Sequence, residues 1–347
     1  MNSIDRTLRG AMNTLHVGFL ALFILFVGMA AARAACAGTD VREQMEAAQP
    51  GVLGEIDKLV AAVPNADGKL WRVTSPSGAV SHLFGTMHVS DEDVVALSDE
   101  AAAAHAEAST VVIEVAEMVD PLAMSAAVAG QPGLLFFMDG SDLLDLLPDA
   151  DEPVVERALQ ERGMSLAAMK AYRPWMLMAQ LSIPACATAD PDGGLDVSLA
   201  RSAEQRGAAI GGLETPQEQL SIIASMPIEL QIGALVDAAR LGDGVGDLYA
   251  TMGKLYREGN IGAIWPTLAE ASEFLLEEEV SAEEAKAMIE LERDLITKRN
   301  HTMAERSQPF LDKGDAFIAV GALHLPGEEG LVELLRERGY EVELAAM

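Results

Sequence analysis

Two copies of Gly-x-x-His carry the most specific chemical information in the sequence: Gly85-Thr86-Met87-His88 and Gly321-Ala322-Leu323-His324. Each follows a short apolar run, Ala79-Val80-Ser81-His82-Leu83-Phe84 in the first case and Asp315-Ala316-Phe317-Ile318-Ala319-Val320 in the second. A glycine at a strand exit lets backbone or ligand approach closely. An imidazole three residues later is then placed to enter a cleft at the carboxyl edge of a sheet, and neutral imidazole is the commonest protein metal ligand. Glu114 belongs with these residues because it ends the apolar run Thr110-Val111-Val112-Ile113-Glu114-Val115, where an unpaired charge is costly to desolvate. It demands a partner, either a metal ion or a histidine. Two imidazoles and one carboxylate leave positions open for water, as hydrolytic metal sites require, and bound water there reaches a pKa of about 7. The competing reading is that His88 and His324 hydrogen-bond loop backbone.

These residues need strands to hold them. Leu70-Trp71-Arg72-Val73-Thr74, the turn Pro76-Ser77-Gly78 and the run 80–84 predict a β-hairpin. Ser90-Asp91-Glu92-Asp93 would cap a helix running through His105, and 110–115 is a buried strand. From Pro121 to about Lys313 the periodicity is mainly helical, interrupted by a strand over 208–214 that follows a helix over 196–206 with Gly207 as its stop. Residues 273–306 predict a long charged helix with a solvated face, its opposite charges three and four positions apart. Gly242-Asp243-Gly244-Val245-Gly246-Asp247 reads as a loop, and Pro174 as the first turn of a helix. A strand through Val320, a helix over 327–338 and a strand over 340–344 close the chain. The expected fold is therefore α/β (α+β): a central mixed sheet built from N- and C-terminal strands, with the helical section at roughly 121–313 packed over it as a cap.

A formal net charge of -30 and a pI near 4.4 argue against nucleic acid and anionic membrane surfaces as partners. Such a surface favours solubility and raises the local concentration of cations. Arg6 and Arg9, the apolar stretch 17–32 and Ala32-Arg33-Ala34 read as an export signal cleaved after Ala34, leaving a single domain over 35–347. The expected location is secreted or periplasmic, with an uncleaved membrane anchor as the alternative. Arg33, three positions before Cys36, argues against a lipid-attachment box. Cys36 and Cys186 permit one disulfide, or a free buried thiol at Cys186. The sequence contains no His-Glu-x-x-His, no Gly-x-Ser-x-Gly and no phosphate-loop motif.

Taken together, Leu70-Trp71 through His88, the glutamate of Val112-Ile113-Glu114, Gly211-Gly212-Leu213-Glu214-Thr215-Pro216-Gln217-Glu218-Gln219, Arg299-Asn300, Val320 through His324 and the closing Gly339-Tyr340-Glu341-Val342 resemble the TraB/GumN group, relatives of the Tiki metalloproteases. The resemblance implies an α/β domain like that of erythromycin-esterase and haem-binding relatives, and a metal-dependent peptidase activity. It assigns His88 and His324 to the two motif histidines, Glu114 to the strand glutamate, and Glu214, Arg299 and Asn300 to further polar positions. On that basis His88 and Glu114 bind a divalent ion (manganese, cobalt or zinc) or act without metal as general base and orienter, and His324 completes the site. Arg299 holds a developing oxyanion or a peptide carboxylate, or else forms a salt bridge on the charged helix. Glu214 is a second carboxylate that orients a ligand or an N-cap partner of Thr215 and Gln217. Asn300 bonds a ligand or lies on the helix surface. His82, His105 and His301 are packing or exposed residues.

Three functions follow: an exported metal-dependent hydrolase acting on peptides, a non-catalytic binder of peptides or small molecules, and a haem or metal carrier.

Overall fold

The computed structural model describes residues 38–88, 94, 96–184, 194–277 and 293–346. The expected signal (1–34), the cap Ser90-Asp91-Glu92-Asp93, Cys36 and Cys186 lie outside these residues. Strands β1 (Leu70–Thr74) and β2 (Val80–Thr86) form the expected hairpin. Its turn closes through Ser75 N to Ala79 O, with Gly78 at a φ of +88°, a conformation that glycine adopts without steric cost. Then follow β3 (Thr110–Val115), β4 (Ala209–Glu214), β5 (Ala316–Gly321) and β6 (Glu341–Ala346).

Fourteen α-helices accompany the sheet among the described residues. α1 (Arg42–Ala48) and α2 (Val52–Val60) precede it, and α3 (Asp99–Glu107) links β2 to β3. Between β3 and β4 come α4 (Pro121–Ala129), α5 (Glu152–Glu161), α6 (Leu166–Met169), α7 (Pro174–Leu181) and α8 (Gly194–Gln205). Between β4 and β5 come α9 (Pro216–Ala224), α10 (Ile228–Leu241), α11 (Gly244–Glu258), α12 (Ile261–Leu276) and α13 (Lys298–Lys313), and α14 (Leu331–Glu337) precedes β6.

The strands lie in the order β4-β3-β5-β2-β1-β6, so both ends of the chain enter one mixed sheet, as expected. The four strands β4, β3, β5 and β2 are parallel, and β1 is antiparallel to both its neighbours. Pairing of Thr86 with Gly321 and of Val115 with Glu214 brings the carboxyl ends of the parallel strands to one edge.

Both faces of the sheet are covered, which is why β5 reads as a continuous apolar run. Phe317 and Ala319 pack with α3 and α8 on one side. Ile318 and Val320 pack with α13 and α14 on the other. A helical cluster built from α5, α7, α9 and α10 holds Val155, Leu159, Leu177, Leu181, Leu220 and Leu235. Another, from α1, α2, α11 and α12, also takes up Met87 and Ala322, the middle residues of the two Gly-x-x-His motifs. Each motif is thereby anchored between its glycine and its histidine.

Several expectations need correction. α8 and α13, inside the stretch expected as helical cap, instead cover the two faces of the sheet, while β4 is the strand expected over 208–214. α3 starts at Asp99, because Ser98 Oγ accepts from Ala101 N at 3.2 Å and caps it. The loop expected over 242–247 is only a break: Gly242 takes a φ of +51° and α11 begins at Gly244, burying Val245 and Leu248. The charged segment 273–306 is not one solvated helix. α12 ends at Leu276 with Glu277 at a φ of +56°, residues 278–292 lie outside the described set, and a π-turn over Arg293–Thr297 leads into α13. α14 is shorter than expected because Gly330, held extended, starts it only at Leu331.

The two motifs pack directly on each other. A Cβ on Gly85 would lie 2.6 Å from Leu325 Cδ1 and 2.9 Å from Ala322 Cα. Gly85→Ala is therefore expected to destabilise the fold by about 1–3 kcal/mol through overpacking, seen as a lower denaturation midpoint with unchanged slope. An unchanged midpoint would refute this packing.

Candidate functional site

Each parallel strand delivers a functional group to the shared edge. β2 carries Thr86 and, two residues on, His88; β3 carries Glu114; β4 ends on Glu214; β5 ends on Gly321 and turns through a 3-10 segment, Ala322–His324, that presents His324. The first turn of α13 adds Arg299 and Asn300, and that of α8 adds Asp196. Open α/β sheets bind ligands at this edge.

The cluster is built around a buried cation. Arg299, 5% exposed, donates from Nε to Glu214 Oε1 at 2.9 Å and from Nη2 to Oε2 of both Glu214 and Glu114 at 2.6 Å. Its Nη1 reaches Leu295 O at 3.3 Å. Gln219 Nε2 bridges the same carboxylates, at 2.9 Å to Glu114 and 3.0 Å to Glu214. Glu114 Oε1 accepts from the Gly321 amide at 2.7 Å. Burial alone would raise the Glu114 pKa, but Arg299, the two histidines and the Gly321 amide outweigh it and hold the carboxyl well below its ordinary range. Arg299 is pushed upward: the attraction of its two carboxylates exceeds the opposing effect of burial.

The histidines are oriented by unlike partners. His88 Nδ1 donates to Asp196 Oδ2 at 2.5 Å, while Thr86 Oγ1 donates to Asp196 Oδ1 at 2.6 Å. Burial opposes charge on His88, but Asp196, with help from Glu114, raises its pKa to about 9. For His324 the orientation follows from Asn300. Asn300 Nδ2 donates to Glu329 O at 2.8 Å, so Oδ1 faces His324 Nδ1 at 2.6 Å and must accept its proton. Burial, reinforced by Arg299, depresses His324 to about 3 and leaves it neutral. Its Nε2 then presents a lone pair 3.8 Å from Glu114 Oε1. This contact is not an ion pair, since two acceptors face each other.

Gly321 marks the centre. A Cβ there would lie 3.2 Å from Glu114 Oε1, 3.5 Å from His324 Cδ2 and 3.5 Å from His88 Nε2. His88, with 15% of its side chain exposed against 4% and 6% for His324 and Glu114, is the most open of the three. Among the described residues no three His, Cys, Asp or Glu side chains enclose an ion as they stand. The donor chemistry nevertheless fits one. Counting Glu114, Glu214 and Asp196 as carboxylates, Arg299 as a cation and both imidazoles as neutral, the cluster carries a formal charge of about −2, which a divalent ion cancels. Without an ion, the proton retained by His88 cancels half of it.

His88, Glu114, Glu214, Arg299, Asn300 and His324 gather here, and His82, His105 and His301 do not. His105 Nε2 bonds Leu199 O at 2.9 Å and its ring meets Phe317 edge-on, while His301 is exposed beside Glu329. Asn300 is buried, not a helix-surface amide, and Arg299 pairs across the sheet edge instead of along its own helix. Glu214 does not cap α9. Thr215 does, in a reciprocal box in which its Oγ1 accepts from Glu218 N while Glu218 accepts from Thr215 N. Asp196, Thr86 and Gln219 escaped the sequence reading. The available signal was an acid between Leu195 and Val197, and an amide on the face of α9 that buries Pro216 and Ile223.

The TraB/PrgY/gumN family profile matches residues 69–344. The chain is 26% identical over 317 residues to Metalloprotease TIKI2 of Danio rerio, covering 79% of this chain and 60% of that protein. It is 27% identical over 309 residues to Metalloprotease TIKI1 of Homo sapiens, covering 76% and 60% respectively. The chain thus spans about three-fifths of the length of these relatives. No solved structure matches it.

Two outcomes follow from the geometry. Gly321 has a φ of −51°, which alanine adopts freely, so Gly321→Ala should place a methyl group amid the three donors, change stability by about 1 kcal/mol or less, and abolish ligand binding at the site. Retained binding would show that the donors do not share one space. Glu114 has a folded-state pKa below its ordinary 4.5, so its ionised form contributes stability above that pH and loses it as the pH falls. Glu114→Gln should cost about 3–5 kcal/mol at neutral pH and flatten the acid limb of the stability curve below about pH 5.

Proposed function

The chain belongs to the TraB/PrgY/gumN family, and from that premise we propose that it is a metal-dependent hydrolase that cuts peptide bonds. The observation that supports this reading most is the pair of facing acceptors, His324 Nε2 and Glu114 Oε1, in a buried cluster whose carboxylates Glu114, Glu214 and Asp196 outnumber its guanidinium, Arg299. The similarity to proteins named as metalloproteases points to the same chemistry.

In this reading His88, His324 and Glu114 would hold a divalent ion, manganese, cobalt or zinc, which would supply Lewis acidity and lower the pKa of water there towards neutrality. The chain's own residues do the rest. Asp196 and Thr86 aim His88, Asn300 aims His324, and Glu114, kept ionised beside both rings, contributes the negative oxygen that complements the two neutral imidazoles. Arg299, with Glu214 and Gln219, holds Glu114 in place. The Nη1 of Arg299, which bonds Leu295 O at 3.3 Å, is the end of its fork not taken by carboxylates, and it would be the donor left for the oxyanion or a substrate carboxylate. The N-terminal segment, with Arg6, Arg9 and the apolar stretch 17–32, is read as an export signal that places the enzyme outside the cytoplasm.

Purified without chelator, the protein should retain close to one divalent ion per chain and cleave members of a peptide library. His88→Ala and His324→Ala should each reduce both metal content and cleavage by about 100-fold or more. Because His88 titrates at about 9, ion uptake at about pH 7 should also release close to one proton per ion, read by calorimetry in buffers of different ionisation enthalpy. A chain that binds no divalent ion and cleaves nothing would overturn the reading in favour of a non-catalytic binder.

A further inference from the structure

We infer that the surface running from the carboxyl end of β3 across α4 and the turns that follow it docks a cationic peptide rich in apolar side chains. The inference rests on the hydrolase reading above, and it supplies that reading's substrate class: basic, apolar-rich peptides whose flanking residues lie along this face.

Four of the five large hydrophobic side chains exposed among the described residues fall between residues 122 and 146. They are Leu122 at 82%, Met138 at 68%, and Leu144 and Leu146 at 38% each. The fifth, Leu344, lies on the edge strand β6. Exposed apolar side chains gathered on one stretch of chain distinguish it from a surface on which they are scattered singly, and they motivate the inference.

Its charge selects the partner. No Lys, Arg or His occurs from 116 through 156. Exposed Asp120, Asp139, Asp145 and Asp149 stand among the apolar residues; the first three accept local hydrogen bonds from Leu122, Ser141 and Asp142, and none of the four lies within ion-pair distance of a cation among the described residues. The nearest cations are already committed: Lys170 pairs with Asp142 at 2.6 Å, and Arg173 bonds Gly133 O and lies over the Phe137 ring. Exposed carboxylates in excess over cations, interleaved with exposed apolar groups, attract a basic amphipathic chain and repel an acidic one.

The surface is continuous with the site. β3, which carries Glu114, runs through one 3-10 turn, Ala116–Val119, into α4. Gln217 Nε2 ties α9 to Ala127 O of α4 at 3.2 Å, and α9 also carries Gln219, bonded to Glu114. Phe137 N to Ala171 O and Leu143 N to Lys170 O fasten the following turns to the segment before α7.

The test uses three labelled synthetic peptides of equal length, with alternating Lys-Leu, Glu-Leu and Lys-Ser, titrated by fluorescence anisotropy against the full chain with chelator present. The Lys-Leu peptide should bind about tenfold or more tighter than either control, and its affinity should weaken as NaCl rises from about 0.05 to about 0.5 M. Replacing Leu122, Met138 and Leu146 together by serine should weaken binding by about tenfold, with Leu344→Ser unchanged. Equal affinity for the acidic peptide, or a triple variant that binds like the parent, overturns the inference. So does a triple variant that turns a dimer into a monomer at constant peptide affinity, which would make this a self-association face. Binding without cleavage once metal is restored would sink the hydrolase reading alone, and cleavage indifferent to the triple change would sink the docking surface alone.

Discussion

The site depends on one buried arginine holding two carboxylates. Arg299 lies where Glu114 and Glu214 end adjacent parallel strands, and its planar fork reaches both at 2.6 Å. Without it, two acids would face each other in a water-poor space, and at least one would take up a proton. With it, Glu114 stays ionised, and its second oxygen is turned towards the Gly321 amide and the two imidazoles. The electrostatic role of Arg299 is thus to keep a carboxylate available where burial alone would neutralise it.

Chain topology explains why the chemistry is divided between distant segments. β5, from near the C-terminus, lies between β2 and β3, so the motif that follows it emerges beside His88 and above Glu114. The glycines have separate tasks. Gly85 lets the second motif's turn pack against β2, and Gly321 keeps the space among the donors open. The middle residues Met87 and Ala322 anchor both turns in one helical cluster, so the imidazoles are positioned by the core as well as by hydrogen bonds.

Much of this was legible in the sequence, for identifiable reasons. The hairpin, the strand bearing Glu114 and both Gly-x-x-His turns show local patterns that tertiary packing reinforces, and an acid closing an apolar strand has few explanations other than a site. Arg299 and Asn300 were harder, because the charges around them satisfy the spacing of a solvated helix and only the packing of α13 on the sheet decides which side is buried. Asp196 was missed because an acid in the first turn of a helix already has a local explanation in the helix dipole. The loop expected at Gly242 failed because glycines and aspartates also suit a helix start, and the burial of Val245 and Leu248 decided the outcome.

The central claim is that two imidazoles and one carboxylate, delivered by three strands, surround a place for a cation. Anomalous diffraction from crystals grown with cobalt(II) tests it most directly. The account predicts one dominant peak bonded to Nε2 of both His88 and His324 and to Glu114, with Asp196 and Asn300 still holding the opposite ring nitrogens. A map with no peak among these residues, or with His324 Nε2 bonded to protein alone, would contradict it.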